Sequence, residues 1–139
     1  TMHGPSQKLH SKPYSKRRAV YGYIDRQNIS PTLNSFDFAN PNIHAPQRVE
    51  TTVPQQALFA FNHPFVIERS ATLAKKAFDS RTANPSFQVE FLYRQILSRD
   101  PRQDESKLSV EFIGTDAKLA NFEDLAQTLL VSNEFFFTD

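Results

Sequence analysis

Apolar residues along this chain recur at three- and four-residue spacing in short runs punctuated by prolines, and nowhere alternate long enough to make a strand. From Lys16, the first run sets Ala19, Val20, Tyr23 and Ile24 apart from Arg17, Arg18, Asp25 and Arg26, which predicts a short helix ending near Asn28. Ser30 before Pro31 is a hydroxyl cap followed by proline at the first helical position, so another turn is expected to about Phe36. Thr52-Val53-Pro54-Gln55 carries the elements of a capping box and opens a helix over 54–61. Asn62-His63-Pro64 breaks it, because proline disfavours the α conformation in the residue before it. The next helix starts at that proline, with an expected stripe of Ile67, Ala71, Ala74 and Phe78.

The same grammar repeats. Asn84-Pro85 caps a helix with a wide apolar face of Val89, Leu92, Tyr93, Ile96 and Leu97. Asp100-Pro101, with Gln103 as capping partner, opens a helix carrying Leu108 and Phe112, which Gly114 stops. Asn121 is expected to cap the last helix, with Glu123 and Asp124 in its first turn and a stripe of Phe122, Leu125, Ala126, Leu129 and Leu130. Asn133 reads as its left-handed terminus, with Phe135 to Phe137 folding back onto the core.

Between Asp37 and Thr52, Asn40, Pro41, Asn42 and Pro46 oppose both helix and sheet, leaving one long loop over about residues 37–52. Loops of that length bind something or pack as compact units. The expected fold is therefore all-α: an irregular orthogonal bundle of five to six short helices with that loop, since an up-down bundle needs longer helices. Residues 1–15 lack periodicity and read as a flexible lead-in or cloning remnant; residues 16–139 read as a single helical domain, a fragment of a larger protein.

Composition narrows the chemistry. Thirteen Phe and four Tyr stand against no Trp and one Met, so the bulky core pieces are Phe and Leu. The absence of cysteine removes disulfides, thiolate metal sites, cysteine nucleophiles and haem attachment through C-x-x-C-H. No apolar run approaches the roughly 20 residues of a membrane span. The net charge of +1 hides a split: residues 1–48 hold seven Lys/Arg against two Asp/Glu, and residues 49–139 hold nine against thirteen. Such asymmetry fits a basic arm for an acidic partner or nucleic acid, and equally an intramolecular complementarity.

No motif for phosphate binding, a nucleophile elbow or a zinc protease occurs. His44 and His63 lack the paired spacing of metal ligands, and His63 at a helix junction is expected to bond backbone. Asp37, Arg48 and Glu50 bracket the long loop and, with Arg17 and Arg18, can form an ionic network that pins it. A catalytic reading would make Asp37 a general base, but no nucleophile or second acid accompanies it at telling spacing. Lys8, Lys12, Lys16, Arg17 and Arg18 interleave with Tyr14 and Tyr21 in the manner of a nucleic-acid contact, although specific binders concentrate more charge.

Several stretches share a likeness: Arg17-Arg18-Ala19-Val20-Tyr21, Phe36 to Pro41, Arg48 to Leu58, Phe61-Asn62-His63-Pro64-Phe65-Val66 and Leu129 to Phe136. In that order they resemble the planctomycete-specific C-terminal domain of unknown function (PSD family) that accompanies c-type cytochrome domains. The resemblance runs from about Lys16 to Asp139. It implies a module of a large, exported, periplasmic or extracytoplasmic protein whose haem c belongs to another part, with no cofactor in this chain. It departs from the family at Asn62-His63-Pro64, where Asn-Asp-Pro is common, and at Gly22 inside the first helix.

The function expected is a noncatalytic interaction or scaffolding domain that meets other domains of the same polypeptide, or a protein partner, through the 37–52 loop. One alternative is an accessory part of an enzyme active site shared with an upstream domain through Arg17, Asp37 or Arg48. Another is nucleic-acid binding through the basic N-terminal segment.

Overall fold

The computed structural model describes residues 8, 11–36, 38–39, 42, 44, 54–80 and 84–136. Among them the fold is all-α, as expected, with seven α-helices and no strand. The chain forms two compact units, Thr1–Phe59 and Ala60–Asp139. Of the expected lead-in, only Lys8 and residues 11–15 are described; of the expected long loop, only Phe38, Ala39, Asn42 and His44 are.

In the first unit the helix expected from Lys16 to about Asn28 shrinks to one 3-10 turn, Ala19–Tyr21. Gly22 follows in an extended conformation (φ −71°, ψ 144°), and Val20, Tyr21, Tyr23 and Ile24 are exposed. An amphipathic stripe left in solvent cannot offset the cost of nucleating a helix. Helix α1, Pro31–Ser35, begins at the expected proline, but the Ser30 side chain makes no capping bond. The Phe36 ring meets Phe59 edge-on at 5.2 Å. Helix α2, Pro54–Asn62, starts where its proline directs and runs across the boundary between the units.

The second unit holds α3 (Pro64–Phe78), α4 (Pro85–Leu97), α5 (Gln103–Ile113), α6 (Leu119–Val131) and α7 (Asn133–Phe136). Its core is built from Ala74, Ala77, Val89, Leu92, Tyr93, Ile96, Ile113, Phe122, Leu125, Ala126 and Leu129. The α3–α6 pair is the most extensive helix contact. Small residues make it possible: α3 turns Ser70, Ala74 and Ala77 inward, all buried, while Ile67 and Phe78 of the expected stripe stay partly in solvent. Phe78 still reaches Phe122 edge-on at 5.8 Å.

Helix α5 also turns inward a different face from the one its stripe predicts. Ser109 and Ile113 face the core, whereas Leu108 and Phe112, the expected stripe, are 66% and 56% exposed. The start of α5 also lies later than expected: Arg102 is the cap position, and its N–H donates to Glu105 at 2.8 Å, so Glu105 rather than Gln103 closes the first turn. Gly114 ends α5 at φ 73°, ψ 178°, as its placement predicted. Asn121 does not cap α6, which begins at Leu119; its amide donates to the Ile113 carbonyl at 2.8 Å and ties the two helices. Glu123 and Asp124 accordingly fall outside the first turn of α6. Asn133 is not left-handed either: Ser132 ends α6 in an extended conformation and Asn133 begins α7. Of the three phenylalanines expected to fold back, Phe135 remains 43% exposed, Phe136 is half-buried, and Phe137 lies outside the described residues.

Candidate functional site

The sequence-derived candidates divide by position. Asp37, Arg48 and Glu50 lie outside the described residues, so the ionic network expected around the loop does too. Arg17 and Arg18 are exposed, and the Arg17 guanidinium lies over the Tyr21 ring, 5.2 Å from its centroid. Stacking of this kind holds both side chains against the backbone turn between them.

His63 and Asn62 sit where α2 gives way to α3. The His63 backbone is extended (φ −74°, ψ 127°), and its Nδ1 accepts the Phe65 N–H at 3.2 Å, so the imidazole is the N-cap of α3. That role requires an unprotonated Nδ1, and partial burial favours the neutral ring by lowering its pKa from the ordinary value. The junction is held from the other side by Gln127 of α6, whose amide donates to the Phe61 carbonyl at 2.7 Å. His63 therefore does structural work of the kind expected for it.

The densest charged cluster stands on the turn between α4 and α5, and none of the candidates belongs to it. Ser98 takes the left-handed conformation (φ 57°, ψ 23°), which turns the chain back and presents Arg99. The Arg99 guanidinium spans Glu105 with two 2.7 Å bonds and Glu134 with bonds of 2.5 and 2.8 Å, and it donates to the Asp100 carbonyl at 3.0 Å. It also lies 5.5 Å from the centroid of the Tyr93 ring. Its hydrogen bonds hold the Glu105 carboxyl down at about 2 and Glu134 below the usual carboxylate range. A guanidinium is the one side chain whose planar fork can grip two carboxylates at once. The result joins α7 to the α4–α5 turn through charge.

Beside it, an open groove of about 410 Å³ is lined by Ser86, Glu90, Asp100, Pro101, Gln103 and Ser106. Arg94 bridges its two carboxylates, bonding Glu90 at 2.7 Å and Asp100 directly. The hydrogen bond from Arg94 lowers the Asp100 pKa. Among the described residues no group of three His, Cys, Asp or Glu converges as a metal site would require. No helix among them is long and apolar enough to cross a membrane.

Sequence reasoning missed Arg99 because its partner Glu134 is 35 residues away. The available signal was the proline turn at Pro101 followed by acids, which marks a helix start but not the cation that neutralises them.

The family model PSD1, a protein of unknown function (DUF1553), matches residues 1–113 of the chain. The matched range ends with α5 at Ile113, so the stretch Leu129 to Phe136 lies beyond it. No curated protein and no solved structure matches.

Proposed function

This chain belongs to the PSD1 family of proteins of unknown function, and we propose that it is a noncatalytic interaction or scaffolding domain of a large, exported, cytochrome-c-linked multidomain protein. In this reading it packs against neighbouring domains of the same polypeptide, or against a protein partner, with the 37–52 loop as one contact. The haem belongs to another part of that protein, since a chain with no cysteine has no thiol for covalent haem attachment.

The observation that carries the reading is the disposition of apolar side chains. Val20, Tyr21, Tyr23 and Ile24, within five consecutive positions, all stand in solvent at 42% exposure or more, as do Leu108 and Phe112 one turn apart on α5. Clustered exposure of this kind marks association surfaces. The acids of the α4–α5 groove, meanwhile, are both engaged by Arg94.

Alanine replacement of Arg17, Asp37 and Arg48 in the parent polypeptide tests the reading against its rival, a shared active site. A scaffold loses folding or association while any reaction of the parent keeps its rate per folded molecule. Loss of that rate with the fold intact, read by circular dichroism, would overturn the scaffold and favour the enzyme.

A further inference from the structure

We propose that the segment from Lys16 to Arg26 is a docking strip for an acidic protein surface that carries apolar side chains at its centre. The proposal rests on the associative reading above and adds the place and chemistry of the contact.

Within five consecutive positions Val20 is 79% exposed, Tyr21 50%, Tyr23 60% and Ile24 42%. Lys16, Arg17, Arg18 and Arg26 flank them, all exposed, and Asp25 is the only acid of the stretch. That acid is already used: its carboxylate accepts the Gln27 N–H at 2.9 Å. The strip therefore offers an apolar centre with three cations on its N-terminal side and the balanced pair Asp25 and Arg26 on the other.

Its geometry is set locally. Arg18 and Gly22 are extended on either side of the single 3-10 turn, and the Tyr21 and Gly22 N–H groups close that turn on the Arg18 and Ala19 carbonyls. Arg17 covers one face of the Tyr21 ring, and the Arg26 carbonyl accepts from the Asn42 amide at 3.2 Å, which fastens the end of the strip. Side chains ordered before contact lose less freedom on binding.

The composition selects the class of partner. Tyrosine and arginine around an apolar centre are the residues that dominate protein interfaces. Single-stranded nucleic acid stacks its bases on aromatic rings, which Tyr21 and Tyr23 supply, but Val20, the most exposed apolar side chain of the strip, gives bases nothing to stack on. An anionic bilayer is met by an amphipathic helix with a broad apolar face, and one 3-10 turn does not supply it.

The test uses the full 139-residue chain and four fluorescent probes: a short peptide alternating Glu with Leu and Phe, a poly-Glu peptide of equal length, oligodeoxythymidine, and phosphatidylglycerol vesicles. The mixed peptide is expected to bind most tightly. Arg17→Glu with Arg18→Glu, and separately Val20→Ser with Ile24→Ser, should each weaken it by about tenfold or more. All these positions are exposed, and an unchanged circular dichroism spectrum confirms that the fold is kept. Equal affinity in the variants, equal binding of poly-Glu, or tighter binding of oligodeoxythymidine or vesicles would overturn the proposal. If the rest of the parent polypeptide binds wild type and both variants equally well, this strip is ruled out while the associative reading stands.

Discussion

Replacing Arg99 by alanine removes one cation from two carboxylates, a carbonyl and an aromatic ring at once. The side chains of Arg99 and Glu105 are 27% and 25% exposed, whereas Glu134 is 47% exposed. The Glu105 arm is thus the less screened of the two. Moving its carboxyl from an ordinary 4.5 to about 2 corresponds to about 3 kcal/mol at full value. Water around a pair that is one-quarter open reduces this to roughly half. The contact with the Tyr93 ring adds about 0.5 kcal/mol, and the Glu134 arm is too open to add much. The expected loss is about 2 kcal/mol, part of it the repulsion of two acids left without their cation. For a unit of this size, Tm should fall by roughly 8–16 °C.

The same pair fixes a pH dependence. A depressed folded pKa contributes stability that is complete above the unfolded value and drains away as pH falls through the folded one. For Glu105 that window runs from about 4.5 down to about 2. Thermal unfolding followed by far-ultraviolet circular dichroism at about pH 7 and about pH 2.5 reads both effects. The gap between wild type and Arg99→Ala should be full at the higher pH and narrow at the lower, and Arg99→Lys should recover less than half of it, because an ammonium cannot grip two carboxylates. A Tm change under about 2 °C near neutrality, or a gap indifferent to pH, would refute the reasoning.

Three further outcomes follow from single residues. Gly114→Ala should cost about 1–3 kcal/mol in urea unfolding from backbone strain alone, since a Cβ there meets nothing within 4 Å while φ 73°, ψ 178° suits glycine only. Phe122→Ala, at a fully buried position against Phe78, should cost about 3–5 kcal/mol by the same measurement. His63 stabilises α3 as a neutral cap, so its contribution is present above an imidazole's ordinary pKa and is lost as pH falls below it; His63→Asp should remove that loss over about pH 5–7 in a stability titration.

Where proline stands at the start of a helix, the sequence was readable. Pro31, Pro54, Pro64 and Pro85 each open one, because the constraint on φ and the missing N–H act within a turn and need no tertiary partner. Facing was not readable to the same degree. Hydrophobicity put Ile67 and Phe78 on the inner stripe of α3, yet the helix turns Ser70, Ala74 and Ala77 inward because small residues let α6 approach closely. A rotation in the opposite direction leaves Leu108 and Phe112 of α5 in solvent while Ser109 is buried beside the Tyr93 hydroxyl, 3.5 Å away. Asn121 has the residue type of a cap but spends its amide on the preceding helix, and Arg99 finds its partner in the last helix of the chain. Such choices depend on which surfaces meet, and periodicity within one segment does not contain that information. Of the candidate residues, the His63 junction was legible because capping is local, whereas the Arg99 cluster arises only when distant helices come together.

The most direct test of the central claim, that this domain works by association, is isothermal titration of the chain into the separately produced remainder of its parent polypeptide. Saturable binding, weakened by salt because cations flank the exposed apolar strip, is the predicted result. No heat and no complex at concentrations well above micromolar would contradict it.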